Sequence, residues 1–411
     1  MLWIKMGWRN LWRNRRRSLI EMTSIAGSIF LAIFMNNIAV GSYSQMVEDG
    51  VRMGSGHIGL YRSNYLEMRK TEQIMTAGTL ISEIEKLPEV EAVYPRLNVP
   101  GLVRSSRDSR SSLLMGIDMD KERGSNPILE PDKIEKGGFP DKDDKQGALM
   151  GAVLAEELGL DVGKKFVVMT QGADGEIESS LFRITGLIRT NARMIDAVMV
   201  IIPRQVLAEV LGKTDSAHEI AVILKSHKMI EDTLPKLREI AGMEPDTGAY
   251  PWETAMPEMA NAIKMDHIGL KIMVIFLYVI VGIGTINTLL MSVMERTREF
   301  GVIRAIGLNK KHIRKIVFSE ALVLSVTGIV IGVALAVIGG LYTSIKGIDY
   351  SGMIKDQGAA GTLIDPIIYS GWDWTSVVVL SVGMIALALV ASLYPAHHIM
   401  KIRPSDAMRK Y

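Results

Sequence analysis

Four long apolar stretches are the feature that most constrains how this chain can fold. They cover residues 18–41, 268–294, 316–345 and 374–399. Crossing about 30 Å of hydrocarbon takes about 20 helical residues, so each stretch is long enough to span a bilayer. Trp372 and Trp374, at the start of the fourth stretch, are typical of an interfacial aromatic belt. The pattern predicts four transmembrane helices.

The composition requires a large polar region besides these spans. Of the 411 residues, 22% are charged, which is too many for a protein that lies wholly in a membrane. The stretch 42–266 alternates strand-like runs, such as 181–187 and 220–224, with helix-like runs, such as 230–240. Within it, 130–146 has the composition of a polar loop. The predicted fold class is a membrane α-helical protein of four transmembrane helices, with a large α+β periplasmic domain inserted between helices 1 and 2.

Basic residues indicate the orientation of the spans. They cluster in 1–17, in 295–315 and in 400–411. Because short loops rich in Lys and Arg stay in the cytoplasm, all three segments are predicted to be cytoplasmic. The domain 42–266 and the loop 346–373 then lie in the periplasm. The predicted location is the bacterial inner membrane, crossed several times, with both termini in the cytoplasm.

The first 17 residues interleave tryptophans with arginines. Such a segment is typical of an amphipathic helix that lies on the anionic inner leaflet. A plain basic anchor without a further role is the alternative. The predicted membrane-interface residues are Trp3, Trp8, Trp12, Arg13, Arg15, Arg16 and Arg17.

Sequence motifs for catalysis, nucleotide binding and metal binding are missing from these 411 residues. Gly212-Lys213-Thr214 resembles the end of a phosphate loop, but Leu207 stands where its first glycine belongs. The adjacent His397 and His398 point apart on a helix, which does not favour a metal site. There is no cysteine, so no disulfide can form. The sequence predicts no metal, no cofactor bound by this chain, no enzymatic activity of its own and no nucleic-acid partner.

Small residues at four-residue spacing occupy the third span. Such spacing lets helices approach closely in lipid, so these positions are predicted to pack against another helix. They are Gly328, Gly332, Ala336 and Gly340. Glu320, near the start of the same span, is expected to be a solvated carboxylate at the inner interface, close to Lys315.

A charged segment lies between the second and third spans. Residues 294–306 are predicted to form a short helix on which Arg296, Arg298 and Glu299 are exposed, with Glu295 as their neighbour. Gly307 is placed to end that helix. A stiff helix joined to two spans can transmit a displacement into the membrane. A simple loop held inside by its positive charge is the alternative.

This segment, 294–307, resembles the cytoplasmic signature of FtsX-like ABC exporter permeases. Residues 149–163 and 182–186 are similar to the periplasmic core domain of that family, and 8–17 are similar to its beginning. The resemblance covers nearly the whole chain, and it extends to permeases of the lipoprotein-releasing and macrolide-exporter types. It implies that the following residues couple the permease to an ATPase: Glu295, Arg296, Arg298, Glu299, Gly301, Arg304 and Gly307.

The resemblance implies the membrane subunit of an ATP-driven exporter. The ATPase is expected to be a separate cytoplasmic ABC subunit that acts as a dimer and holds ATP and Mg. A second permease copy or paralogue, membrane lipids and a periplasmic chaperone, adaptor or hydrolase are the other expected partners. Lipoproteins or other amphiphiles extracted from the inner membrane are the expected substrates.

Two alternatives stay open. One is macrolide-type efflux through a periplasmic adaptor. The other is a transmembrane signal relay that controls a cell-wall hydrolase and transports nothing.

Overall fold

The computed structural model describes residues 2–13, 15–141, 144–190, 192–306, 309–350 and 367–401. Its α-helices are α1 (Leu2–Arg13), α2 (Arg15–Met53), α3 (Tyr65–Met68), α4 (Gly78–Ile84), α5 (Met119–Glu122), α6 (Ala152–Leu158), α7 (Arg193–Asp196), α8 (Arg204–Val210), α9 (Ile230–Ala241), α10 (Trp252–Ala255), α11 (Pro257–Glu295), α12 (Thr297–Ala305), α13 (Lys310–Lys346) and α14 (Trp374–Lys401).

The strands are β1 (Ile58–Arg62), β2 (Met75–Thr76), β3 (Val90–Arg104), β4 (Ser109–Ile117), β5 (Ile134–Gly137), β6 (Gly147–Gly151), β7 (Lys165–Gln171), β8 (Ile177–Ile188), β9 (Met199–Pro203), β10 (Ser216–Ala217), β11 (Glu219–Leu224), β12 (Thr247–Pro251), β13 (Ile348–Asp349) and β14 (Ile367–Ile368).

The described residues form two compact units. One contains the chain up to Ser44, Ile263–Asp349 and the described residues from Ile367 onward. The other contains Gln45–Ala262 together with Tyr350. The second unit therefore includes the last turns of α2 and the first turns of α11.

Among the described residues, four helices are long and apolar enough to cross a membrane: α2, α11, α13 and α14. The first continues to Met53, well past its predicted end at residue 41. An ion pair one turn apart, between Arg52 Nε and Glu48 Oε1 at 2.6 Å, supports its last turns. Gly56, with φ of 71°, then allows the chain to turn into β1.

The helix α13 also begins earlier than the predicted third span. Asn309 caps it, because its side-chain oxygen accepts a hydrogen bond from the Lys311 amide at 3.1 Å. The basic residues expected in a turn before the span are therefore in the first turns of the helix.

The α+β unit is built on a ten-stranded sheet in the order β12-β1-β11-β3-β4-β9-β6-β8-β5, with β7 paired to β3 and β8. The long strand β3 pairs with β11 through its first half and with β4 and β7 through its second half. One apolar core forms around Ile58 and Val222, and a separate core forms around Phe166 and Phe182. The domain thus has two lobes that share β3.

The expected polar loop at 130–146 is partly wrong. It contains β5, whose residues pair with β8 in antiparallel fashion, and Ile134 lies opposite Ile188. Ile134 also packs against a small apolar cluster that includes Ile188. Partial burial of this one apolar side chain among polar neighbours favours an edge strand there.

Candidate functional site

The charged segment between the second and third apolar helices is bent at one residue. Helix α11 ends at Glu295, Arg296 forms a turn, and α12 begins at Thr297. The Thr297 hydroxyl donates to the Met294 carbonyl at 2.8 Å and so satisfies an acceptor at the end of α11. The single helix expected over 294–306 is therefore wrong, because Glu295 and Glu299 lie on different helices.

The bend turns Arg296 inward. The expectation that this side chain is exposed is wrong, because it is buried. Its Nε donates to Glu299 Oε2 at 3.1 Å, and its Nη1 lies 3.6 Å from Glu320 Oε2. The guanidinium carbon lies 5.1 Å from the centre of the Phe300 ring. Two carboxylates and an aromatic face compensate for the removal of this charge from water.

Glu320 is buried as well, so the expectation of a solvated carboxylate near Lys315 is also wrong. Its Oε1 accepts a hydrogen bond from the Ser292 hydroxyl at 2.9 Å, and Arg296 is its cationic neighbour. Because Ser292 is on α11 and Glu320 is on α13, these contacts connect the two apolar helices on either side of the charged segment.

Two arginines of the N-terminal segment bind the two acids of the charged segment. Arg13 Nη1 lies 3.0 Å from Glu299 Oε1. Arg17 binds Glu295 through both of its terminal nitrogens, at 2.7 and 3.2 Å. We call these residues, together with Arg296 and Glu320, the coupling network. It links α1, α2, α11, α12 and α13.

Charge pairing sets the ionisation of Glu299. Partial burial acts to raise its pKa, but hydrogen bonds from Arg296 and Arg13 outweigh burial and hold the pKa below its ordinary value. Glu299 is therefore an anion that bridges an exposed arginine and a buried one.

The remaining residues predicted to couple with an ATPase are placed as follows. Arg298 is exposed and Gly301 is buried. Arg304 belongs to α12, but its side chain and Gly307 lie outside the described part of the structure.

Two tryptophans of the N-terminal segment, Trp8 and Trp12, lie on the surface of α1. Trp8 and Trp12 are about half exposed and meet edge to face, with ring centres 6.0 Å apart. The Arg15 guanidinium lies 5.9 Å from the centre of the Trp12 ring, and Arg16 is exposed. The Trp3 side chain lies outside the described part of the structure.

The small residues of α13 lie against α2. A Cβ added to Gly328 would come within 2.8 Å of Ile25 Cγ2, and one added to Gly332 would come within 2.6 Å of the Ala26 carbonyl oxygen. Ala336 is buried, and a Cβ on Gly340 would meet the Trp372 ring at 3.0 Å.

A second buried carboxylate in the apolar helices was not singled out from the sequence. Glu21 of α2 is buried and accepts hydrogen bonds from the hydroxyls of Thr285 and, at 3.3 Å, Thr288 of α11. The sequence does indicate this residue, since Glu21 is the only acidic residue in the first apolar stretch. It does not indicate the hydrogen-bond partners, which lie more than 260 residues away along the chain.

The α+β unit contains a buried ion pair at the end of α2. Arg96 of β3 binds Glu122, with Nη2 to Oε2 at 2.6 Å. The same guanidinium donates to the carbonyls of Arg52 at 2.5 Å, Met53 at 2.6 Å and Gly54. We call this group the Arg96 cluster. It satisfies the terminal acceptors of a helix that would otherwise be buried without partners.

No group of three or more His, Asp or Glu side chains that could hold a metal ion occurs among the described residues. His397 and His398 are both exposed on α14. The described site is a set of ion pairs at a helix bend.

Comparison with known proteins gives two matching family models. The model described as MacB-like periplasmic core domain matches residues 18–240, and the model described as FtsX-like permease C-terminal matches residues 271–404. The first of these covers more than half of the chain. In chain order, the MacB-like match overlaps the α+β unit, and the FtsX-like match then overlaps the last three apolar helices.

Relatives of known class agree with these models. The chain is 22% identical over 345 residues to the macrolide export ATP-binding/permease protein MacB of Campylobacter jejuni, covering 81% of this chain and 52% of that protein. It is 21% identical over 351 residues to the lipoprotein-releasing system transmembrane protein LolE of Haemophilus influenzae, covering 81% of this chain and 80% of that protein. The chain spans about half the length of the MacB relatives that it matches.

Among solved structures, the periplasmic region of MacB from Actinobacillus actinomycetemcomitans is 14% identical with a TM-score of 0.36, covering 53% of this chain and 98% of that one.

The chain belongs to the family of FtsX-like ABC permeases with a MacB-like periplasmic core domain. The four apolar helices and this domain define a multi-pass protein of the inner membrane.

Proposed function

We propose that this protein is the permease subunit of an ATP-driven exporter, in which the coupling network receives the movement of a cytoplasmic ATPase. The observation that carries this proposal is the bend at Arg296. It places the short helix α12 between two apolar helices, where Glu299 of α12 binds Arg296 at the end of α11 and Arg296 lies 3.6 Å from Glu320 of α13. A force on α12 therefore acts on α11 and α13 together.

The proposed orientation has both termini and α12 in the cytoplasm and the α+β domain in the periplasm. The basic segments 1–17 and 295–315 support it, because Lys and Arg concentrate on the cytoplasmic side. Arg298, exposed on α12, is then available to an ATPase from that side.

The motor is proposed to be an ABC ATPase dimer on a separate chain, which binds ATP and Mg. The alignment with LolE, which covers 80% of a protein described as the transmembrane protein of its system, supports a motor on a partner chain. Two permease copies, or a copy and a paralogue, would complete the complex.

The proposed substrates are lipoproteins or other amphiphiles extracted from the inner membrane. The alignment with LolE, which covers 80% of that lipoprotein-releasing protein, favours this class. Macrolide-type efflux with a periplasmic adaptor is the second candidate, favoured by the match to the MacB-like periplasmic core domain.

The coupling claim is tested with Glu295→Lys and Glu299→Lys. Each reversal places a cation against an arginine of the network, so we expect weaker ATPase binding or ATP hydrolysis without release. The measurements are co-purification of the ATPase, hydrolysis, and release of an acylated protein from proteoliposomes. Glu239→Lys on the exposed surface of α9 is the matched control. Normal binding and normal release in both network variants would remove the coupling claim.

The orientation is tested by labelling single cysteines with a membrane-impermeant maleimide. The natural chain has no cysteine, so each introduced thiol is unique. In sealed cells with a permeabilised outer membrane, Glu239→Cys should react and Arg298→Cys should react only after lysis. The reverse pattern would place the domain in the cytoplasm and exclude the proposed exporter.

A further inference from the structure

The α+β unit contains a cavity of about 340 Å³ beside the Arg96 cluster. Its wall is mainly apolar and includes Leu66, Leu113, Met115 and Met256. Leu113 is among the exposed apolar side chains of the domain, so the cavity opens to solvent beside it. The volume is within the range of about 300–1,000 Å³ that is typical of small-molecule sites.

Two tyrosine rings form one part of the wall. Tyr61 and Tyr65 are buried and stacked, with ring centres 5.9 Å apart and planes 12° from parallel. A second stacking contact, between Tyr65 and His218 at 5.2 Å, holds this surface in place. The face of a tyrosine ring attracts apolar groups and cations.

One carboxyl group in the wall is incompletely satisfied. Glu219 is buried, and its Oε2 accepts a hydrogen bond from Asn98 Nδ2 at 3.3 Å. Its Oε1 has no hydrogen-bond partner among the described residues. The Tyr61 hydroxyl lies beside the carboxyl group without forming a bond of normal geometry to Oε1. A buried acceptor without a partner is costly, and a bound donor would remove that cost.

The cations in the wall do not supply this donor. Arg96 directs its nitrogens to Glu122 and to the carbonyls at the end of α2. Arg69 is exposed at the surface, where solvent and salt screen its charge. Since Glu122 neutralises Arg96, Glu219 and the exposed Arg69 are the other charged residues of the wall, and only Glu219 is buried.

We propose that this cavity binds a small organic amine, with its ammonium group at Glu219 and its apolar or aromatic body against Tyr61, Tyr65 and Leu113. The ligand would also touch Met53 and Gly54, which lie at the end of α2. The site goes beyond the proposed exporter function and is tested without ATP or a motor subunit.

The experiment uses the full-length protein in nanodiscs and three probes of similar shape and different charge. They are 2-phenylethylamine, 2-phenylethanol and 3-phenylpropanoate, and empty nanodiscs correct for partition into lipid. Binding is followed by saturation-transfer NMR and by protection of the single thiol in Met115→Cys from maleimide. We expect the amine to bind at least tenfold more tightly than the alcohol, and the acid to bind more weakly still.

Three variants locate the binding. Glu219→Gln keeps the shape and removes the charge, so it should abolish the preference for the amine. Leu113→Trp, at an exposed position, should fill the opening and block all three probes without disturbing the fold. Glu239→Gln is the matched control and should leave binding unchanged.

Equal affinity for the three probes in the natural protein would overturn the proposal, as would no binding of any of them. Amine binding that survives both Glu219→Gln and Leu113→Trp would place the amine elsewhere and overturn it too. If Glu219→Gln is destabilised so far that it does not fold, the Leu113→Trp variant decides. Loss of amine binding in Leu113→Trp then supports the proposal, and retained amine binding overturns it.

Discussion

The coupling network and the Arg96 cluster are both built from arginine and glutamate, yet they differ in their access to water. Arg96 and Glu122 have side chains that are 1% and 0% exposed, whereas Arg13 and Glu299 are 50% and 47% exposed. A fully buried pair holds one arrangement, because breaking it leaves a charge without compensation. An exposed pair can exchange its partner for water at little cost.

This difference indicates two mechanical roles. The Arg96 cluster fixes the end of α2 to β3, the strand shared by the two lobes of the domain. The coupling network has a buried part, Arg296 and Glu320, and an exposed part, Arg13 and Glu299. Its exposed part can exchange contacts with water, while its buried part holds the helices in one arrangement.

The largest expected effect comes from breaking the buried pair. Arg96→Met leaves Glu122 and the carbonyls at the end of α2 without their donor, so we expect a loss of about 3–5 kcal/mol in the free energy of unfolding. The corresponding fall of the thermal midpoint is roughly 10 °C. Arg110→Met, which removes an exposed partner of Glu157 in the same domain, is the matched control and should cost about 1 kcal/mol or less. Similar losses of stability in the two variants would show that burial does not distinguish the Arg96–Glu122 pair from the Arg110–Glu157 pair.

The next effect tests the close packing of α2 and α13, which positions the coupling network. Gly332→Ala places a methyl group 2.6 Å from the backbone oxygen of Ala26, so the helices must separate. Overpacking of this kind costs about 1–3 kcal/mol. A Cβ on Gly27 meets no atom within 4 Å, so Gly27→Ala is a control with the same chemical change. Thermal unfolding in detergent should separate the two variants, and equal midpoints would contradict close packing at Gly332.

The sequence predicts the apolar helices well because hydrophobicity over some 20 residues is a strong, local signal. It predicts β3 poorly. Pro95, Pro100 and Gly101 interrupt its pattern, although the strand is continuous from Val90 to Arg104. The partners of β3 on both sides supply the stability that its own residues do not indicate.

The charged contacts are harder still to foresee. The break at Arg296 has no proline or glycine to mark it, so the helical pattern of the sequence continues through it. Arg96 lies among Val93, Tyr94 and Leu97, and a charge within such a run does indicate a buried role. Its acceptors come from the end of α2 and from Glu122, which only the fold brings together.

A smaller effect concerns pH, and its sign should differ between the two units. Burial raises the pKa of Glu219 above its ordinary 4.5, with the Arg96 guanidinium opposing the shift. Its contribution to stability is therefore present at low pH and falls as the pH rises above 4.5 through the raised pKa. The pKa of Glu299 is lowered, so its contribution is present above pH 4.5 and is lost as the pH falls through the lowered value.

Difference measurements isolate these contributions. The thermal midpoint of each variant, Glu219→Gln and Glu299→Gln, is subtracted from that of the natural protein at a series of pH values. Plotted against pH, the two differences should slope in opposite directions. Slopes of the same sign would mean that one of the two carboxyl groups is not in the environment described.

The smallest effect belongs to the outer pair of the coupling network. Arg13→Gln removes an exposed partner of Glu299, which keeps its hydrogen bond from Arg296 at 3.1 Å. We expect a change of less than about 1 kcal/mol in stability, and a change that disappears at high salt because screening acts over about 8 Å at physiological ionic strength. The same substitution should alter ATPase binding more than stability, since this pair is free to rearrange. A stability loss as large as that of Arg96→Met would mean that Arg13 is fixed in place, and the contrast between an adjustable network and a rigid cluster would then be wrong.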